Sequence, residues 1–149
     1  MGYPQGIRAY FERSPLLRPG LRVLDAGCGT GAVILALRDA LRSRSLIPGA
    51  MHAFDLTPAM LDRLRVDLAA RGAEGIVLQE ASALELDALP PSWRDYDLVV
   101  SASMLEYVPR VRFSEVLRGL RSLLKRREHR SFRFTPKLAN DATDRSVVV

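Results

Sequence analysis

Hydrophobic and polar positions along the chain switch between two periods. Short apolar runs at Leu21–Ala26, Ala50–Phe54, Ile76–Gln79 and Tyr96–Ala102 read as buried strands. Between and after them, apolar residues recur at helical spacing. Val33, Ile34, Leu37 and Leu41 share one face of a helix over Gly31–Arg44. Met60, Leu61, Leu64 and Leu68 do so on the next helix, which Thr57 caps, Pro58 opens and Gly72 stops. A third long helix is expected over Phe113–Lys125, with Val116, Leu117, Leu120, Leu123 and Leu124 inward. A short one over Pro4–Arg13 turns Ile7, Tyr10 and Phe11 to one side. Strands alternating with helices predict an α/β domain with a parallel sheet covered on both faces.

Composition narrows the class without naming a function. The 149 residues are enough for one domain. No apolar stretch is long enough to span a bilayer, and the start of the chain lacks the pattern of a secretory signal. Cys28 is the single cysteine, so no intrachain disulfide is expected and the cytoplasm is the expected location. One cysteine and two distant histidines argue against a metal site. The net charge of +5 is unevenly spread. Residues 1–109 hold 11 basic and 13 acidic side chains, and residues 110–149 hold 11 and 4. A basic end can bind nucleic acid, but the near-neutral body makes nucleic acid a disfavoured partner.

The chemistry concentrates in Val23-Leu24-Asp25-Ala26-Gly27-Cys28-Gly29-Thr30-Gly31, a strand, a turn and a helix start. Three glycines in five positions let the backbone turn sharply and approach a ligand, and the helix start offers N–H groups. Glycine spacing alone leaves the ligand open, because Gly27-x-Gly29-x-x-Ala32 also satisfies the loose dinucleotide pattern. A turn glycine-rich only for packing would leave the same trace. Asp25 shifts the balance: a carboxylate at the strand end repels a pyrophosphate and suits a ligand bearing an ammonium group. Asp55 closes the second strand 24 residues past Gly31, where an acidic side chain can accept from ribose hydroxyls.

The nine-residue string resembles the first signature of Rossmann-like methyltransferases that use S-adenosylmethionine. The resemblance runs over about residues 20–125 and implies a three-layer α/β sandwich with a mostly parallel sheet. It assigns Asp25, Gly27, Cys28, Gly29 and Gly31 to the methionine part of the cofactor, with Cys28 as a small turn filler rather than a nucleophile. It assigns Asp55 to the ribose and Leu56 to the adenine face. Met60 is a second adenine candidate, although helical spacing favours it as core. Relatives carry Gly-Asp-Ala after the third strand, whereas this chain has Glu80-Ala81-Ser82. The base-contacting carboxylate is therefore missing unless Glu80 replaces it, and Ser82 and Ala83 are left to offer backbone groups.

The loop after the fourth strand, Ser101 to Tyr107, belongs beside the cofactor and the methyl acceptor. Ser101 is assigned to the cofactor, and Glu106 and Tyr107 are the catalytic candidates. A solvated Glu106 and a half-buried Tyr107 covering the sheet edge fit the same residues, and Tyr3 and Tyr10 are read either as a lid or as packing. No nucleophile–base pair is required, because an activated sulfonium needs mainly an aligned acceptor.

The end of the chain departs from the pattern. Relatives continue Leu-Lys-Pro-Gly-Gly into a fifth strand, but here Leu124-Lys125 is followed by Arg126-Arg127-Glu128-His129-Arg130. These five residues can be encoded so that a one-base shift reads Gly-Gly-Ser-Ile-Val. The expectation is a cofactor-binding domain over 1–125, its first 19 residues a helix or lid, with a sheet incomplete at its C-terminal end. Residues 126–149 then form an atypical basic, frameshifted tail, from which His129–Thr135 can still fill the fifth-strand slot. The expected function is methyl transfer from S-adenosylmethionine to a small or lipid-like acceptor. The alternatives are an inactive remnant that only binds cofactor and, behind it, a nicotinamide-dependent oxidoreductase.

Overall fold

The computed structural model describes residues 3–102, 104–126 and 147–148. It contains strands β1 (Arg22–Ala26), β2 (Ala50–Asp55), β3 (Ile76–Glu80), β4 (Leu98–Ser101) and β5 (Val147–Val148), and helices α1 (Tyr3–Glu12), α2 (Ala32–Ser43), α3 (Pro58–Ala70) and α4 (Phe113–Ser122). The strand order is β3-β2-β1-β4-β5, parallel from β3 through β4, with β5 antiparallel on β4.

Alternation along the strands creates two cores, one per sheet face. Val23 of β1, Met51 and Ala53 of β2 and Leu98 and Val100 of β4 point to one side. There Ile7 and Phe11 of α1, the apolar stripe of α2, and Leu61, Leu64 and Leu68 of α3 cover them. Leu24, Ala26, Phe54 and Val99 point to the other, where α4 and a long connection carrying Leu89, Trp93 and Tyr96 pack. This is a three-layer Rossmann-like sandwich. The four α2 positions expected inside are all buried.

Differences from the sequence reading have local causes. Met60 is 43% exposed, not core, because Leu61, Leu64 and Leu68 already fill the buried stripe and Met60 lies one position off it. Thr57 caps α3 in position, yet its side chain makes no capping bond. Asp55 Oδ1 takes the Thr57 N–H instead, at 2.9 Å. Helix α4 ends at Ser122 rather than Lys125, since the chain then turns to lie along the sheet. The Tyr96 N–H donates to the Leu123 carbonyl, the Lys125 N–H donates to the Tyr96 carbonyl, and Leu124 forms a parallel bridge to Tyr96. For the same reason β4 begins at Leu98, with Tyr96 paired outward. The proposed fifth strand, His129–Thr135, and most of the basic tail lie outside the described residues. The upper edge of β4 is met by Val147–Val148, opposite Ser101 and Val100.

Candidate functional site

The glycine turn joins β1 to α2 at the carboxyl end of the sheet, and its glycines do different work. A Cβ at Gly27 would run into the side chain of Met104, and one at Gly31 into Leu64 of α3. Those two positions are set by packing as well as by left-handed backbone (φ +73° and +91°). Gly29 has left-handed backbone (φ +54°), and a Cβ there would meet nothing. Open space lies above it, at the mouth of the turn.

The turn's N–H groups are largely spent inward. Those of Gly27 and Cys28 both donate to the Phe54 carbonyl at 2.9 Å, and that of Gly31 donates to the Cys28 carbonyl at 2.8 Å. The Gly29 N–H donates to Asp55 Oδ2 at 2.7 Å, and the Ile34 N–H, in the first turn of α2, donates to Asp25 Oδ2 at 3.1 Å. A phosphate cradle needs such groups aimed at its ligand. Here the Gly29 N–H and the Ile34 N–H of α2 are met by the side chains of Asp55 and Asp25, so acidic groups stand where a phosphate would need donors.

Asp25 and Asp55 stand on neighbouring strands. Asp25 pairs in register with Ala53, two residues before Asp55. Asp25 is 1% exposed, and its Oδ1 has no hydrogen-bond partner. Burial pushes its carboxyl up to about 7; the Ile34 N–H opposes this and the charge of Asp55 adds to it. Asp55 is half-buried, and each of its oxygens accepts one backbone N–H. A carboxylate oxygen has two lone pairs, so capacity for further donors remains. Cys28 is buried and its thiol is pushed well up, first by burial and then by the two aspartates, so it is an inert filler and no nucleophile.

The other sequence-derived positions surround this pair. Leu56 follows Asp55 directly and is 65% exposed. Met60 is exposed on the first turn of α3. Ser82 and Ala83 are half-buried on the connection after β3, where the Ala81 N–H donates to the Asp55 carbonyl and Ser82 Oγ accepts the Leu84 N–H. Glu80 is exposed, opposite Asp55 in register. Ser101, at the end of β4, is buried with an unpartnered hydroxyl. Glu106 and Tyr107 lie on a 3-10 turn over Met104–Tyr107, and both point to solvent; Tyr107 is 84% exposed rather than half-buried. Tyr10 is half-buried, edge-on to Phe11 and packed on the first core, and the Tyr3 side chain lies outside the described set.

The sequence reading missed Met104 and Leu64 as the residues that fix two of the glycines, because those contacts join distant segments. It also missed a cluster on the opposite face of the sheet, towards its amino end. There His52 stacks on Trp93 (4.4 Å, 17°) and its Nδ1 lies 2.6 Å from the Tyr96 hydroxyl. Burial lowers the His52 pKa and raises that of Tyr96, so both partners of this hydrogen bond favour their neutral forms. Among the described residues no group of His, Cys, Asp and Glu side chains is arranged to hold a metal. No helix among them is long and apolar enough to cross a membrane.

A parallel sheet with a glycine turn over paired strand-end carboxylates defines a nucleoside-binding α/β protein of the methyltransferase type. The family model described as "Methyltransferase domain" matches residues 23–127, and the chain belongs to that family, within the Rossmann-like class that uses S-adenosylmethionine. The chain is 32% identical over 108 residues to the aklanonic acid methyltransferase DauC of Streptomyces sp. (strain C5); the match covers 71% of this chain and 44% of that protein. The chain thus spans less than half the length of this relative. Among solved structures, it superposes on the trans-methyltransferase CalH in complex with SAH with a TM-score of 0.67 at 20% identity, over 83% of this chain and 36% of that one. It also superposes on an S-adenosylmethionine-dependent methyltransferase from Mesorhizobium loti (TM-score 0.57, 27% identity, 83% and 51% covered).

Proposed function

We propose that this chain carries the cofactor site of an S-adenosylmethionine-dependent methyltransferase acting on a small, largely apolar organic acceptor inside the cell. The observation that carries this reading is the inward use of the turn's N–H groups, with Asp55 taking that of Gly29 and Asp25 that of Ile34 in α2. Acidic groups there suit a cationic amino-acid nucleoside and disfavour a dinucleotide.

The residues present fit that group. Open space over Gly29 leaves room for the methionine part, above a floor of Gly27, Cys28 and Gly31. The unpartnered Asp25 Oδ1 is an acceptor for the ammonium, and the remaining lone pairs of Asp55 suit the ribose hydroxyls. Leu56 and Met60 offer apolar surface to the adenine, Ser82 and Ala83 offer backbone groups to its edge, and the Ser101 hydroxyl is an unpartnered polar group at the end of β4. S-adenosylmethionine, when bound, supplies a methyl group already activated by positive sulfur. The chain's task is then to bind, orient and exclude water. Tyr107 lays an exposed ring against the acceptor, and Glu106 takes up the proton that an acceptor O–H or N–H gives off. The relative's name, aklanonic acid methyltransferase, also points to a small organic acceptor. Residues 126–149 stand outside this unit as a frameshifted tail, an idea that reading the encoding DNA tests.

Calorimetric titration with S-adenosylhomocysteine, paired with transfer of labelled methyl from S-adenosylmethionine to a panel of small aromatic acids and phenols, tests the proposal. Saturable binding with transfer is expected. Binding without transfer to any acceptor would favour a cofactor-binding remnant, and absence of binding would end the reading.

A further inference from the structure

The buried state of Asp25 carries a consequence beyond the choice of ligand. Its carboxyl is enclosed, holds one backbone N–H through Oδ2, and leaves Oδ1 with no partner. An ionised carboxylate so placed lacks the two or three donors that normally stabilise the charge. Among the described residues, the groups that act on its charge are the Ile34 N–H of α2 and the Asp55 carboxylate of β2, neither of them a cation; β4 brings Val100 in register and the turn brings the Cys28 thiol.

The geometry points to a proton-coupled site: Asp25 is a neutral carboxylic acid in the free protein and loses its proton to solvent as the ligand ammonium arrives. The O–H bond of Asp25 breaks, water or buffer takes the proton, and the new carboxylate pairs with the ammonium. Cofactor uptake therefore releases a proton, and affinity is tuned by pH. The direction follows from linkage: the bound state holds fewer protons, so affinity rises as pH rises and levels off once Asp25 is ionised in the free protein. Burial, which places the carboxyl near 7, puts this change in the range where small shifts of pH alter cofactor occupancy. Asp55 accepts two backbone N–H groups, and its charge adds to the rise of the Asp25 carboxyl. The inference rests on the function proposed above, and its test separates the two.

S-adenosylhomocysteine, which carries the same ammonium, is titrated calorimetrically into the full chain at pH 6 and pH 8, each in phosphate and in Tris. At pH 6 the apparent enthalpy should differ between the buffers by an amount equal to release of about 0.9 proton, and at pH 8 by about 0.1. Affinity should rise about tenfold from pH 6 to pH 8. Asp25→Asn should bind with no buffer dependence and a flat pH profile. Because that substitution falls on a buried group, an infrared difference spectrum of the unmodified chain gives a second readout: a protonated-carboxyl stretch present in the free protein should vanish on binding. Binding with buffer-independent heat at pH 6 overturns the inference and leaves the proposed function intact. Proton release that persists in Asp25→Asn assigns it to another group and also overturns it. No binding at all contradicts the proposed function, and the inference with it.

Discussion

The two ends of the parallel sheet hold similar polar material and use it in opposite ways. Towards the amino end, on the face opposite Asp25, polar groups find partners: the Tyr96 phenol meets His52, Asp97 takes the Arg22 N–H at 3.0 Å, and Arg18 pairs with its other oxygen. Arg22 Nε is the exception, held over the Tyr96 ring at 5.6 Å while Nη2 reaches the Arg94 carbonyl. At the carboxyl end, Asp25 Oδ1 and Ser101 Oγ are buried with no partner at all. Each buried polar atom left unpaired costs roughly 1–3 kcal/mol. A fold that keeps two such atoms near the carboxyl ends of adjacent strands β1 and β4, one of which runs into the glycine turn, is arranged for something that arrives later.

The sharpest way to break this contrast is to damage the amino end. Trp93→Ala removes the stacking partner of His52 and should cost about 3–5 kcal/mol of stability. Affinity of the folded fraction for S-adenosylhomocysteine should stay within about twofold. Chemical denaturation together with calorimetry checks both, and a large loss of affinity would mean that the two ends are not independent. The converse change is Asp55→Ala, which frees the Gly29 and Thr57 N–H groups. It should weaken S-adenosylhomocysteine binding about 30–100-fold while costing about 1–2 kcal/mol of stability.

Proton linkage gives the two ends opposite signs. Burial lowers the His52 pKa, so the unfolded chain binds more protons there, and that contribution to stability is lost as pH falls below about 6.5. The Asp25 carboxyl is raised from 3.8 to about 7, so the folded chain binds more protons between those values. Its contribution is full below about pH 4 and is lost as pH rises towards 7, with a slope of at most about 1.4 kcal/mol per pH unit. Denaturant midpoints across pH 4–8 should lose their downward Asp25 component in Asp25→Asn and their upward His52 component in His52→Gln. Failure of the two variants to tilt the profile in opposite directions would remove the distinction. The smallest effect is expected at Gly29→Ala, where left-handed backbone costs about 1–2 kcal/mol and the new methyl enters open space. Stability should fall by that amount and affinity by about tenfold, whereas Gly27→Ala, which strikes Met104, should cost more stability.

Local signals made part of this legible. The turn and α2 follow from glycines, a buried strand and a 3.6-residue stripe that lie within about 20 consecutive residues, and the Asp25–Asp55 pairing follows from both closing adjacent strands. Legibility ended where partners are distant in sequence. Nothing local says that Asp25 turns inward to Ile34, that Met104 makes Gly27 obligatory, or that His52 meets Trp93 and Tyr96. Met60 read as core because an apolar residue one position off a stripe looks like part of it. Helix α4 read as too long because Leu123 and Leu124 continue its period while serving the sheet.

The central claim is that this cleft selects a cationic amino-acid nucleoside over a phosphate-bearing one. Thermal unfolding in the presence of S-adenosylhomocysteine or NADH measures that choice directly. At about 100 times its Kd, S-adenosylhomocysteine should raise the midpoint by about 8–10 °C, with no shift from NADH. A rise with NADH and none with S-adenosylhomocysteine would contradict the account.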